Sequence, residues 1–358
     1  MFVYLLLFAG VFIGWSLGTN DGANAFGTAV ATGVVKHRTA IIIISTFVII
    51  GAALLGDQNI TKLSEMALNN GVAASAESAL ATVGDQAAQN KLILKSALKA
   101  AIIFVCAGGT VFIMSFLKFP VSANQSIIGA IIGWGIVHAD YSNKIVLKTN
   151  MLELAEFAST WLICPCGAAL IAFVIVKISN KFIVPKLSKL SHYDLIVKIG
   201  YLVAGAMASF SIGMNSSATV TAFYYDGIDD GIKANLLESA KLAAIIGAIA
   251  IAIGVLTYSK KVMMTVGESI APLTPIEGFL VIVAMALTVF IMGDTMGIPV
   301  STSQAAVGAV VGAGLTKGIK AVNFGVFKNI AIAWVSSPLC AGILSFVIAS
   351  CTKGYFAA

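Results

Sequence analysis

Two short stretches of this chain gather small polar side chains at points where a helix is about to begin. "PVSANQ" (Pro120 to Gln125) and "PVSTSQ" (Pro299 to Gln304) each open on a proline and run straight into apolar sequence. Proline at a first helical position with Ser, Thr or Asn beside it makes a helix N-terminus whose free N–H groups point outward, and a helix that starts inside a membrane must satisfy them. An anion does this well, because the helix dipole favours negative charge there and the backbone donors grip oxyanion oxygens. Ser122, Asn124 and Gln125 in one stretch, and Ser301, Thr302, Ser303 and Gln304 in the other, add neutral donors. With Thr110 of the preceding "TVFIM" segment, they are the candidate anion-binding residues.

The second chemistry lies in "GTNDGANA", where Asp21 sits between Asn20 and Asn24 in a glycine-containing apolar run. A carboxylate at membrane depth is costly enough to be functional by default. Carboxylate, amide oxygens and unwound carbonyls are hard donors of the kind that coordinate a small cation at exposed helix ends. Asn20, Asp21 and Asn24, joined through an internal repeat by Ser211 and Asn215, are therefore candidate ligands of a coupling cation, and Asp294 is the second deep carboxylate. The chain has a single arginine, Arg38, placed in a loop. A tetrahedral oxyanion is normally clamped by arginine forks, so here helix N-termini and co-bound cations must neutralise it. Anion and cation affinities would then be reciprocally coupled, which is the thermodynamic basis of symport.

The elements that position these residues follow from composition. At 59% hydrophobic and 11% charged residues over 358 positions, the chain is far more apolar than a soluble domain. Its mean hydropathy is +0.97. Apolar runs near the length needed to cross a bilayer recur throughout, which argues for an all-α polytopic membrane protein, not a β-barrel. Spans are placed at about 2–35 (interrupted), 40–56, 96–117, 120–138 and 151–176, then at about 199–225 (interrupted), 239–257, 278–297, 299–316 and 327–350. The N-terminal run lacks a basic n-region and a cleavage site, so it reads as the first mature span and not a secretory signal. The net charge of +6 is carried almost entirely by lysine, the mark of cytoplasmic loops and not of a nucleic-acid partner. The basic linker 177–198, "KHR" at 36–38 and Lys260-Lys261 are thereby placed inside, with 56–95, 225–230 and both termini outside, in a multi-pass plasma-membrane protein. The five cysteines lie in or beside apolar segments as free thiols, without metal or redox spacing, and no organic cofactor is indicated. The three histidines fall in loops, so no buried imidazole serves as base or ligand.

The two polar knots belong to a longer repeat. "TVFIM" occurs at Thr110 to Met114 and at Thr288 to Met292, each just ahead of a knot, and "SLGTNDGANAFGTA" has a degenerate counterpart in "SIGMNSSATVTA" that aligns Gly18 with Gly213 and Asn20 with Asn215. Five crossings per repeat is odd, so the two halves must lie upside down relative to each other, with helical hairpins and broken helices meeting at the midplane of about 10–12 membrane segments. The transport domain divides into a first repeat, 1–176, and a second, 199–358, joined by the linker 177–198.

At these residues the sequence resembles the inorganic phosphate transporter (PiT) family. "GTNDGANAFGTAV" is similar to that family's GANDVANAFGT signature, the two PVS knots to its repeated PVST segments, and "KKVMMTVGESIAPLTPIEGF" (Lys260 to Phe279) to its long signature in the second half. The resemblance runs essentially end to end. It implies a sodium- or proton-coupled phosphate symporter with an inverted repeat, often dimeric, with Asn20, Asp21 and Asn24 on the cation side and Ser122, Gln125, Ser301 and Gln304 in the anion-binding repeats. Three departures bear on coupling. Ser216 and Thr219 stand where the second signature would carry an Asp and an Asn, Asn124-Gln125 and Ser303-Gln304 stand where many members carry Thr-His after PVS-Thr, and Val48 stands where several relatives carry a Glu. Loss of a buried His and Glu favours Na+ over H+ as the coupling ion.

Rival readings are a proton-coupled phosphate or sulfate permease and a channel. An intramembrane aspartyl protease using Asp226 and Asp294 is remote, since Ile291 stands where its Gly-x-Gly-Asp context needs glycine. The partners expected are phosphate, sodium and lipid, with a homodimer as the possible assembly, and no enzymatic activity.

Overall fold

The computed structural model describes residues 2–56, 86–138, 144–187, 193–226, 240–295 and 300–357. Among them the chain is helical, without strands. Helix α1 (Phe2–Ala31) is followed by α2 (His37–Leu55), α3 (Gln86–Phe116), α4 (Ala123–His138) and α5 (Lys144–Phe182). A short α6 (Val184–Leu187) leads to α7 (Tyr193–Asp226), α8 (Ala240–Tyr258), α9 (Lys260–Met264), α10 (Pro275–Val289), α11 (Thr302–Leu315) and α12 (Phe324–Ala357). Wide π turns, Thr265–Ser269 and Phe290–Thr295, lie on either side of α10. Seven of the described helices are long and apolar enough to cross a bilayer. Large apolar side chains stand fully outward on them, as with Leu162 at 71% exposure, Met207 at 64% and Ile343 at 62%. A surface of that kind is solvated by hydrocarbon, and the fold is that of a polytopic membrane protein.

Helices α4 and α11 are different. With 16 and 14 residues they extend about 24 and 21 Å at 1.5 Å per residue, short of a hydrocarbon core of about 30 Å. Each is therefore too short to cross alone, and each begins at one of the polar knots.

Packing recurs in pairs. Helix α1 packs on α8 while α7 packs on α2, and α4 packs on α12 while α11 packs on α5; likewise α1 meets α3 and α7 meets α10. Glycines set the close approaches. A Cβ at Gly18 would strike the Ile251 carbonyl, and one at its counterpart Gly213 would strike that of Val48. The same holds for Gly129 and Gly133 against Pro338 and Gly342, and for Gly308 and Gly312 against Pro165 and Ala169. Backbones that touch through small residues gain van der Waals contact where lipid supplies no hydrophobic drive between helices. Gly135, part of the same sequence ladder, faces open space and belongs to no such contact.

Several expectations need correction. The spans read as interrupted at 2–35 and 199–225 are continuous helices, α1 and α7; their glycines serve contact and break nothing. Helix α1 therefore offers side-chain oxygens there and no unwound carbonyls. The stretch 177–198 is not a plain linker: α5 runs through Lys177 and Lys181, α6 follows, and α7 starts at Tyr193. Helix α3 starts about ten residues before the expected 96, at Gln86. Residues 57–85 and 227–239, which hold most of the two loops placed outside, lie outside the described residues.

Candidate anion and cation site on helix α1

Helix α1 contacts both knots. One turn of it holds Asn20, whose amide is fully engaged with the segment that leads into α4: Nδ2 donates to Ser115 Oγ at 2.9 Å and to the Phe119 carbonyl at 3.0 Å, and Oδ1 accepts from the Val121 N–H at 3.0 Å. The chain leaves α3 through Lys118 in the left-handed region (φ 68°) and is then held by this clamp. The indole N–H of Trp334 donates to the Pro120 carbonyl at 2.9 Å from the other side. Ser122 then caps α4, its Oγ accepting from the Gln125 N–H at 3.4 Å.

The next turn of α1 meets the second knot. Asn24 Nδ2 faces Ser303 Oγ at 3.0 Å, Thr302 Oγ1 at 3.2 Å and Asp21 Oδ1 at 3.2 Å. Ser303 Oγ donates to Asp21 Oδ1 at 3.0 Å, and Ser216 Oγ of α7 lies 3.5 Å from Oδ2. Ser301 caps α11 by accepting from the Gln304 N–H at 3.2 Å, and its carbonyl receives the Cys164 thiol at 3.6 Å. Asn20, Asp21, Asn24, Ser122, Gln125, Ser216 and Ser301 through Gln304 are all buried.

Comparison with known proteins gives the family and the fold. The model of the phosphate transporter family matches residues 17–345. The chain belongs to that family. A candidate phosphate permease of Pyrococcus furiosus is 26% identical, over 96% of this chain and 94% of its own. One of Methanocaldococcus jannaschii is 29% identical, over 93% and 92%. A solved structure titled as the sodium-dependent phosphate transporter superposes with a TM-score of 0.73 at 23% identity, covering 98% of this chain and 99% of that one, which establishes a shared fold.

In this phosphate transporter the electrostatics of Asp21 are distinctive. Its carboxylate accepts only from neutral donors, and among the described residues no lysine, arginine or histidine pairs with it. A buried charge without a counterion is expensive. Four buried side-chain atoms near the knots also lack a partner: Asn24 Oδ1, Gln125 Oε1 and Nε2, and Gln304 Oε1. Unmet donors and acceptors of this sort are rare in a packed interior.

The structure thus brings together Asp21, Asn24, Thr302 and Ser303, and sets Ser122, Gln125, Ser301 and Gln304 in the two first turns. Asn124 is half-buried in the first turn of α4. Asn20 serves as a clamp on the backbone, where the sequence reading had it as a cation ligand. Thr110 donates to the Cys106 carbonyl of its own helix at 2.8 Å, as its repeat counterpart Thr288 does to Ala284, so both hydroxyls are engaged away from the knots. Asn215 donates to Ser211 at 3.4 Å, and it is Ser216 that reaches Asp21 from α7. Asp294 sits in the π turn before the second knot, and its side chain lies outside the described residues. Sequence reasoning missed Ser115, which directly follows the repeated "TVFIM" segment ahead of the first knot, and Trp334 and Cys164, which lie far in sequence from the knots they touch and carry no motif. Ser216 had a signal, because the repeat aligns it with Asp21.

Proposed function

We propose that this phosphate transporter carries inorganic phosphate into the cell with sodium by alternating access. The observation that carries the reading is Asp21, a buried carboxylate without a basic partner that lies hydrogen-bonded to the first turn of a half-length helix. The carboxylate favours a cation, and the helix start beside it favours an anion. Each ion lowers the cost of the other, so their affinities rise together. Sodium suits the oxygen donors here: Asp21, the hydroxyls of Thr302 and Ser303, and the unpartnered Oδ1 of Asn24 are hard ligands. The solved neighbour is named for sodium dependence. No imidazole is part of the cluster.

Two repeats, 1–176 and 199–358, related by inversion and exchanging helices, account for the paired packing of α1 on α8 with α7 on α2, and of α4 on α12 with α11 on α5. Rocking of one exchanged pair against the other would expose the midplane site to each side in turn. Lys317, just past α11, bonds Glu277 at the start of α10, and Asn180 of α5 bonds the same Glu277, so these ends share a side. The lysines of 177–198 support a cytoplasmic position for that side, in a plasma-membrane protein.

The test is radiolabelled phosphate uptake into proteoliposomes under an inward sodium gradient, an inward proton gradient, or neither. The reading predicts uptake with sodium alone. Uptake that follows the proton gradient and ignores sodium would transfer the coupling role to protonation and overturn sodium as the co-transported ion.

A further inference from the structure

The half-helix starts carry an S-x-x-Q pattern, Ser122 to Gln125 and Ser301 to Gln304, which by sequence alone is a reciprocal capping box. In such a box the N-cap oxygen accepts from the N3 backbone and the N3 side chain reaches back to the N-cap N–H. This protein contains a complete one, Thr274 with Glu277, where the Glu277 carboxylate accepts from the Thr274 N–H at 2.8 Å. At both knots only half of the box forms. The serine hydroxyls accept from the glutamine N–H groups, but Gln125 Oε1 and Gln304 Oε1 accept nothing, although each residue is 1% exposed. Two repeat-related positions have kept a long amide and left its oxygen unused at the mouth of a helix.

The chemistry of these atoms differs from that of everything around them. Helix N–H groups and serine hydroxyls are donors suited to bare oxyanion oxygens. A carbonyl oxygen is an acceptor, and a bare oxyanion oxygen cannot serve it. Either a cation or an O–H must do so. The cation is already provided for at Asp21 and the free Oδ1 of Asn24, which lie against Ser303, not against Gln125. Gln125 is the sharper case, since both Oε1 and Nε2 are unpartnered. Turning its amide end for end leaves the same demand for one donor and one acceptor from the ligand.

We propose that Gln125 and Gln304 are specificity-determining residues whose side-chain oxygens accept a hydrogen bond from the O–H of a protonated tetrahedral oxyanion, so that the site takes phosphate or arsenate and rejects sulfate. This rests on the phosphate-site reading above and deepens it. At neutral pH phosphate and arsenate carry two O–H groups as the monoanion, one for each amide oxygen, and one as the dianion, which serves either of them, whereas sulfate, of like size and charge to the dianion, has none. Sulfate would leave the amide oxygens buried and unmet, and sites built to pair a ligand hydroxyl reject analogues that lack it. The proton stays on the substrate throughout; no group of the protein takes it.

The experiment is sodium-driven phosphate uptake by the full-length protein in proteoliposomes at pH 7.5, with arsenate, sulfate and monofluorophosphate as competitors. Monofluorophosphate replaces the hydroxyl with fluorine at nearly constant size and charge. Arsenate should inhibit within a few-fold of the phosphate half-saturation, and sulfate and monofluorophosphate should be weaker by about tenfold or more. Gln125→Met and Gln304→Met, which keep length and remove the acceptor, should each narrow the arsenate-to-sulfate ratio by about tenfold while leaving half-saturating sodium, measured at saturating phosphate, near the wild-type value. Wild-type inhibition by sulfate or monofluorophosphate equal to that by arsenate overturns the proposal without need of any variant. So does an unchanged ratio in both variants. Discrimination that persists while uptake proves independent of sodium would refute sodium coupling and leave this proposal standing, so the two failures are distinguishable.

Discussion

Replacing Asp21 by asparagine removes one charge from the centre of the site and almost nothing else. The amide keeps an oxygen to accept from Ser303, now 3.0 Å from Oδ1, and presents an NH2 group to Ser216, whose hydroxyl turns from donor to acceptor. The helix therefore survives. A sodium ion held about 3 Å from the carboxylate, within the same shell as these neutral donors, gains about 5 kcal/mol at an effective dielectric near 20. An amide oxygen in the same place restores part of this, leaving a loss of about 3 kcal/mol, or about a hundredfold in affinity. Half-saturating sodium for uptake should rise by about that factor. Phosphate half-saturation at fixed sodium should rise with it, because the two affinities are linked. The assay is initial phosphate uptake across a matrix of sodium and phosphate concentrations, with the detergent-solubilised melting temperature as a check on folding. A variant whose half-saturating sodium stays within threefold of wild type while phosphate half-saturation rises would place the carboxylate on the anion side and refute the reasoning.

Three further outcomes follow from particular contacts. Asn20→Ala strips three hydrogen bonds from the segment before α4 and leaves the Val121 N–H buried without its acceptor, a loss of about 1–3 kcal/mol, so phosphate half-saturation should rise about tenfold or more while half-saturating sodium, measured at saturating phosphate, stays nearly unchanged; a sodium effect that persists at saturating phosphate would assign Asn20 to the cation site. Gly133→Ala and Gly312→Ala each force a Cβ onto a backbone carbonyl, of Gly342 and Ala169 respectively, and should destabilise by about 1–3 kcal/mol or more in thermal unfolding, while Gly135→Ala, which meets nothing, should not. Glu277→Gln keeps the cap on α10 but breaks the 2.6 Å ion pair of a 3% exposed carboxylate with Lys317, so a double-mutant cycle with Lys317→Met should show coupling of at least about 0.5 kcal/mol; additivity would mean the pair is only a contact.

Much of the site was legible because membrane depth makes polar residues conspicuous. Asp21 and the two PVS knots stand out against apolar sequence for the same reason that they are costly in hydrocarbon. The duplication of "TVFIM" and the knots pointed to two half-helix starts, and α4 and α11 begin there. What misled was glycine. In "SLGTNDGANAFG" the glycines were read as a break, yet Gly18 and Gly22 let α8 approach α1, which stays helical throughout. A glycine that bends a chain and one that admits a neighbour look alike until the neighbour is present. The clamp made by Asn20 was illegible for a related cause, since its partners Ser115, Phe119 and Val121 come from sequence about 100 residues away.

The sequence by itself determined an all-α membrane protein, the duplicated knots, the residue types suited to an oxyanion and a small cation, and the scarcity of arginine on which the proposed coupling of the two ions rests. These follow from composition and local pattern, which act residue by residue. Only the tertiary structure decided which of those residues meet. It joined Asn24 and Asp21 to Thr302 and Ser303 across 278 to 282 positions, brought in Ser216 where Asn215 was expected, set Thr110 aside, and left the oxygens of Gln125 and Gln304 unpaired. The physical reason is that hydrogen-bond partnership in a lipid-embedded bundle is fixed by which helix backs touch, and that is settled by small-residue contacts between helices far apart in the chain.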